Sequence, residues 1–116
     1  MSFSSLPKRS ETWLVDLGLA AKTRYALVLA ARSDARLALA SVVLLTTRFA
    51  GTPYEVALPR VPWLREASYI NVQSLQPVKF TEFVRQAPGK FDDRVLAKVE
   101  GALQRWLSLR GIRSET

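Results

Sequence analysis

The chain has 116 residues, with 17 Lys and Arg against 10 Asp and Glu, for a formal net charge of +7. Halves of such a chain would have very small cores, so residues 1–116 read as one domain, with 1–6 and 111–116 expected to be flexible; the 48% hydrophobic share supports a packed core. The absence of Cys and His excludes disulfides, zinc ribbons, thiol nucleophiles and the commonest general base, leaving carboxylates, Arg, Lys, hydroxyls and backbone for any chemistry.

In chain order, Trp13, Leu14 and Val15 with Leu17 form a short strand candidate. Tyr25 to Ala31 is continuously apolar, and Ser41 to Thr47 is apolar and β-branched. Both runs have strand length and read as central strands covered on two faces. Between them, Asp34 to Ala40 has helix-forming composition and reads either as one helical turn or as a strand extension. Gly51, Thr52 and Pro53 supply turn chemistry. Tyr54 to Leu58 then alternates, with Tyr54, Val56 and Leu58 on one face, until Pro59 and Pro62 remove ladder donors. Ala67 to Leu75 alternates again, with Ile70 and Val72 on one face and Tyr69, Asn71 and Gln73 on the other. Val78 to Phe80 is a further short strand after Pro77.

The period changes at the end of the chain. Val95, Val99, Ala102, Leu103 and Trp106 fall on one helical stripe, which predicts an amphipathic helix with its stripe in the core. Asp92 or Asp93 is placed to cap its start, and Gly111 stands beyond its end. Trp63 reads as an apolar anchor, a dimer contact or a base-stacking platform. Exposing Val61, Trp63 and Leu64 as one patch would be costly, which favours a homodimer. The pattern is α+β: five to seven short strands in a small curled sheet or barrel, then one helix.

The longest mostly apolar stretch, Leu37 to Leu45, is far short of the roughly 20 residues that span a bilayer. The start, Met1 to Ser5, has no apolar segment of signal-peptide length, so the expectation is a cytoplasmic protein without a membrane partner. A pI near 10.4 points to a polyanionic partner. The segment 17–65 is the most lopsided, with Lys22, Arg24, Arg32, Arg36, Arg48, Arg60 and Arg65 against Asp34 and Glu55.

Four segments together resemble the MazF/PemK family of toxin endoribonucleases. They are Pro7 to Leu17, Lys22 to Leu29, Val43 to Thr47, and Ser68 to Leu75 followed by Val99 to Leu103 in the last helix. The resemblance spans roughly residues 7–109, and its specificity lies in order and spacing. It implies a small SH3-like β-barrel finished by a C-terminal α-helix, working as a homodimer. It further implies cleavage of single-stranded RNA with no metal or cofactor, and a cognate antitoxin protein that blocks the RNA groove.

Arg24 matches the family's catalytic Arg and Thr46 its catalytic Thr. The chemistry suits both: as a ribose 2′-hydroxyl attacks phosphorus, a guanidinium clamps two phosphoryl oxygens and a strand-end hydroxyl donates to a third. One such donor is typically worth ~3 kcal/mol in the transition state. The candidate RNA contacts are Lys22, Thr23, Thr47, Arg48, Phe49 and Gln73; a cation beside an aromatic, as in Arg48 and Phe49, suits single-stranded nucleic acid, and the same pair fits a plain loop equally well. The chain departs from the family pattern at Tyr25, where Pro is usual, at Ser10, where Gly is usual, and in a short first loop from Gly18 to Thr23. Gln73 stands where some relatives carry an acid. That departure, with Gln76 where a basic residue is usual, motivates an alternative, a degenerate barrel that binds RNA or a protein without cutting.

Overall fold

The structure, a computed structural model, describes residues 6–18, 22–33 and 38–109. The flexibility expected of the ends falls almost wholly outside these residues, as do Gly111 and the first half of the Asp34 to Ala40 segment. Ala38 to Ala40, the second half, is strand.

Six strands and one helix follow in order: β1 (Thr12–Asp16), β2 (Thr23–Ser33), β3 (Ala38–Thr46), β4 (Glu55–Ala57), β5 (Tyr69–Lys79), β6 (Phe83–Gln86) and α1 (Asp93–Leu107). All strand pairs are antiparallel, in the spatial order β4-β5-β3-β2-β1-β6. The α+β reading holds, but closure does not. Among the described residues no ladder joins the edges β4 and β6, so the barrel implied by the resemblance is here an open six-stranded sheet. The three-residue β4 reaches only Tyr69 to Asn71. Pro59 and Pro62 follow it and carry no donor to extend the ladder.

The two continuously apolar runs are the sheet's centre, as their pattern predicts. Leu27 and Leu29 with Val43 and Leu45 join the core under α1, which is filled by Ile70, Val72, Phe91, Val95, Leu96, Val99 and Ala102. Ala26 and Val28 with Val42 and Leu44 face the other way, against Trp13, Val15, Val78, Phe80 and Phe83. Strands apolar on both faces are required because a core lies on each side.

Asp92 is the helix cap, its carboxylate accepting from the N–H groups of Arg94 and Val95 at 3.1 and 3.2 Å. The helix stops before the predicted Gly111, because Ser108 already adopts the left-handed conformation (φ 55°). Trp106, expected in the core, is 42% exposed. It meets Tyr54 edge-on with ring centres 5.2 Å apart, in the last helical turn. Trp63 is an anchor within the chain, edge-on to Tyr25 at 5.2 Å and tilted against Phe91 at 5.6 Å. Val61, Trp63 and Leu64 pack against the helix-side core, so they do not form the exposed patch that favoured a dimer.

β5 runs unbroken from Tyr69 to Lys79, joining two strand candidates across Pro77. Pro77 is tolerated because β4 covers only the other end of β5, leaving that flank without a neighbour. Between the partners Leu44↔Asn71 and Val42↔Gln76 the register slips, and β5 bulges.

Candidate functional site

Alternation along β2 puts Arg24 on the face of Ala26 and Val28, and alternation along β3 puts Thr46 on that of Val42 and Leu44. The two strands pair Ala26 with Leu44; continuing this register two residues sets Arg24 opposite Thr46. Both therefore lie where the apolar face runs out. Arg24 is exposed, and Thr46 is half-buried.

Two clefts meet at this pair. The larger, about 630 Å³, is lined by Arg24, Tyr25, Leu45, Thr46, Thr47, Arg48, Leu64 and Ser68. The smaller, about 260 Å³, is lined by Arg24, Leu44, Thr46, Arg48, Ala50, Glu55, Asn71 and Ser74. Arg24, Thr46 and Arg48 line both. Thr46 Oγ1 accepts the Arg48 backbone N–H at 3.1 Å, which leaves its own hydrogen to donate outward. Among the described residues the ion pair is Arg9 with Glu100, remote from the clefts, so the guanidinium groups of Arg24 and Arg48 carry no carboxylate partner there.

Of the predicted site residues, the fold thus brings together Arg24, Thr46, Thr47 and Arg48. Phe49 stands at the edge, 57% exposed, with its ring stacked on Tyr69. Lys22 and Thr23 lie at the β1–β2 connection and line neither cleft. Lys22 is held with φ 62°, its N–H donating to the Gly18 carbonyl at 2.9 Å, and Thr23 pairs with Asp16. Gln73 is exposed in the β5 bulge and lines neither cleft; its N–H donates to Asn71 Oδ1 at 2.9 Å.

The unpredicted part of the site is the bulge and the loop before β4. Ser74 Oγ accepts the Leu44 N–H at 2.8 Å and donates to the Asn71 carbonyl at 2.6 Å, standing in for a missing ladder partner. The Glu55 carboxylate accepts from the Ala50 N–H at 2.9 Å, the Thr52 N–H at 2.7 Å and the Thr52 hydroxyl at 2.9 Å. These bonds, the Ala50 N–H first, hold its pKa below the ordinary 4.5. The available signal was Asn and Ser within an alternating strand, types that fit a regular sheet poorly. Among the described residues no three His, Cys, Asp or Glu side chains converge as a metal site, and no helix is long and apolar enough to cross a membrane.

Residues 8–107 match the family described as PemK-like, MazF-like toxin of type II toxin-antitoxin system. Comparison with curated proteins gives no match. Among solved structures, an endoribonuclease in complex with its cognate antitoxin from a Mycobacterial species is 24% identical, with TM-score 0.73 over 90% of this chain and 98% of that one. The Mycobacterium tuberculosis toxin MazF-mt6 is 22% identical, with TM-score 0.74 over 87% and 99%. MazE-MazF from Deinococcus radiodurans is 22% identical, with TM-score 0.65 over 90% and 98%. These likenesses establish a shared fold.

Proposed function

The chain belongs to the PemK-like, MazF-like toxin family of type II toxin–antitoxin systems, and on that premise we propose that it is an endoribonuclease that cuts single-stranded RNA without a metal. The observation that carries the reading is the meeting of Arg24 and Thr46 across β2 and β3, at two clefts they share with Arg48.

The reaction follows from what these groups can do. A ribose 2′-oxygen gives up its proton to solvent water and forms a bond to the adjacent phosphorus, the bond to the 5′-oxygen breaks, and the displaced oxygen takes up a proton from solvent water. The products are a 2′,3′-cyclic phosphate and a 5′-hydroxyl. Charge accumulates on the phosphoryl oxygens between attack and departure. Arg24 and Arg48 offer fixed positive charge there, and Arg24 offers a planar fork to two oxygens. The Thr46 hydroxyl, its oxygen already engaged by the Arg48 N–H, donates to a third. Arg24 is a poor general base because a guanidinium keeps its proton in a protein and has no lone pair to offer. Glu55 is also a weak one, because three hydrogen bonds from the 50–52 loop stabilise its charged form.

In this reading the toxin works as a cytoplasmic homodimer, and an antitoxin protein silences it by covering the clefts. The solved complexes of its structural relatives with antitoxin support such a partner. A second reading, RNA binding without cleavage, is favoured by one observation: Gln73 replaces an acid carried by some relatives.

The test is purified protein with single-stranded RNA in magnesium, then in excess EDTA, at low and moderate salt. Cleavage that survives EDTA and leaves cyclic-phosphate ends supports the proposal. Affinity should fall with salt, each neutralised phosphate contributing roughly −0.7 to the log–log slope. Binding without cleavage supports the second reading. Activity lost in EDTA and restored by magnesium overturns the Arg24/Thr46 mechanism and directs attention to Asp16, Glu55 and Glu66.

A further inference from the structure

The described aromatic contacts fall into two kinds. Trp13–Phe83, Tyr25–Trp63, Tyr54–Trp106, Trp63–Phe91 and Phe80–Phe83 are edge-on or tilted pairs. Phe49–Tyr69 is a parallel stack, with ring centres 4.7 Å apart and planes 24° from one another. One face of Phe49 is covered by Tyr69, yet Phe49 as a whole is 57% exposed. A large flat apolar ring is thus stacked on its neighbour while more than half of the residue's surface stays open to solvent. A third flat ring continues such a stack at little conformational cost.

Neither ring lines either cleft, but each adjoins a residue that lines both. Tyr69 is the β5 partner of Thr46, and Phe49 follows Arg48 in the chain. The loop beyond Phe49 is tied down twice. Glu55 accepts from Ala50 and Thr52, and the Arg105 guanidinium donates to the Pro53 carbonyl at 3.0 and 3.3 Å. A loop held by a carboxylate beneath and a guanidinium from the helix is organised before any ligand arrives, so little ordering entropy is lost on binding.

We infer that the Phe49–Tyr69 stack is a nucleobase subsite, on which a base next to the phosphate held by Arg24 and Thr46 lies flat against the face of Phe49 turned away from Tyr69, with Glu55 positioning the loop that carries it. The inference rests on the proposed RNA chemistry of the clefts. Single-stranded RNA is favoured over a protein ligand because Phe49 directly follows Arg48, a guanidinium that lines both clefts, and an unpaired base is the flat group always found beside a phosphate. Stacking accepts any base, so the subsite adds affinity and register rather than a base code.

The experiment measures RNA affinity and cleavage for the parent, Phe49→Ala, Phe49→Trp and Phe49→Leu. The RNAs are single-stranded and carry one abasic site at successive positions around the cut. The expected result is an affinity loss of about tenfold for Phe49→Ala, the size of one aromatic–base stack, a smaller loss for Phe49→Leu, and none for Phe49→Trp. The loss should vanish on the RNA whose abasic site removes the stacked base, and the salt slope should not change. Glu55→Gln should weaken affinity in the parent but add little on top of Phe49→Ala, because both act through one platform. Additive losses would overturn the role given to Glu55. Phe49→Ala that binds every RNA as the parent does overturns the subsite while leaving Arg24-dependent cleavage standing. If it instead breaks a dimer or an antitoxin complex, Phe49 is a protein contact. A parent that neither binds nor cuts single-stranded RNA removes the chemistry of the clefts and the subsite with it.

Discussion

The centre of the sheet and its clefted end are built by different means. At the centre, β2 and β3 bond through a backbone ladder, and Leu27, Val28, Val42 and Val43 are wholly buried. At the clefted end, side chains do what the ladder does elsewhere: Ser74 takes the Leu44 N–H, Asn71 takes that of Gln73, and Glu55 takes those of Ala50 and Thr52. The centre is where folding free energy comes from, since burial is the dominant favourable term. The end is where Arg24, Thr46 and Arg48 line the clefts to which the proposed chemistry is assigned. Stability and chemistry are therefore separable, and substitutions in the two regions should have different signatures.

Leu27→Ala tests the centre. Leu27 is 0% exposed, and its truncation should cost about 3 kcal/mol of stability, read as a lower urea midpoint. Ser74→Ala tests the bulge. It leaves the Leu44 N–H without its acceptor and should cost about 1–2 kcal/mol while disturbing the smaller cleft. Thr12→Val sharpens the contrast, because the buried Thr12 hydroxyl has no partner among the described residues. Val keeps the shape and removes the polar atom, so stability should be unchanged or rise by up to about 1 kcal/mol.

The smallest effect is a pH dependence at Glu55. Its pKa is lowered in the folded chain, so its contribution is complete above the ordinary 4.5 and is lost as pH falls through the folded value. The stability difference between the parent and Glu55→Gln should therefore shrink as the solution is acidified below about 4.5. A difference that stays constant across that range would show that the loop does not depend on the ionised carboxylate.

The same contrast explains what was legible in the sequence. The continuous apolar runs at Tyr25 and Ser41, the alternation at Ile70 and Val72 and the 3.6-residue stripe from Val95 to Ala102 all reflect burial, and burial writes itself into pattern. Arg24 and Thr46 were reached by resemblance and not by pattern, since an exposed Arg and a strand Thr are common residues. Tertiary context kept the rest hidden. Trp106 belongs to the stripe but lies in the last helical turn, against Tyr54. Val61, Trp63 and Leu64 looked costly to expose because the partners that cover them, such as Phe91, are distant in sequence. Gln73 lies where the β5 register slips and lines neither cleft, and no local signal in the sequence marks such a slip.

The central claim is that the chemistry belongs to the clefted end and not to the core beneath it. The most direct measurement is the initial rate of single-stranded RNA cleavage by Arg24→Ala relative to the parent, with thermal unfolding of both recorded in parallel. The account predicts a rate lower by about 100-fold or more with an unchanged midpoint, because Arg24 is exposed and supports no core contact. An Arg24→Ala protein that cuts as fast as the parent, or that loses activity only in step with its fold, would contradict it.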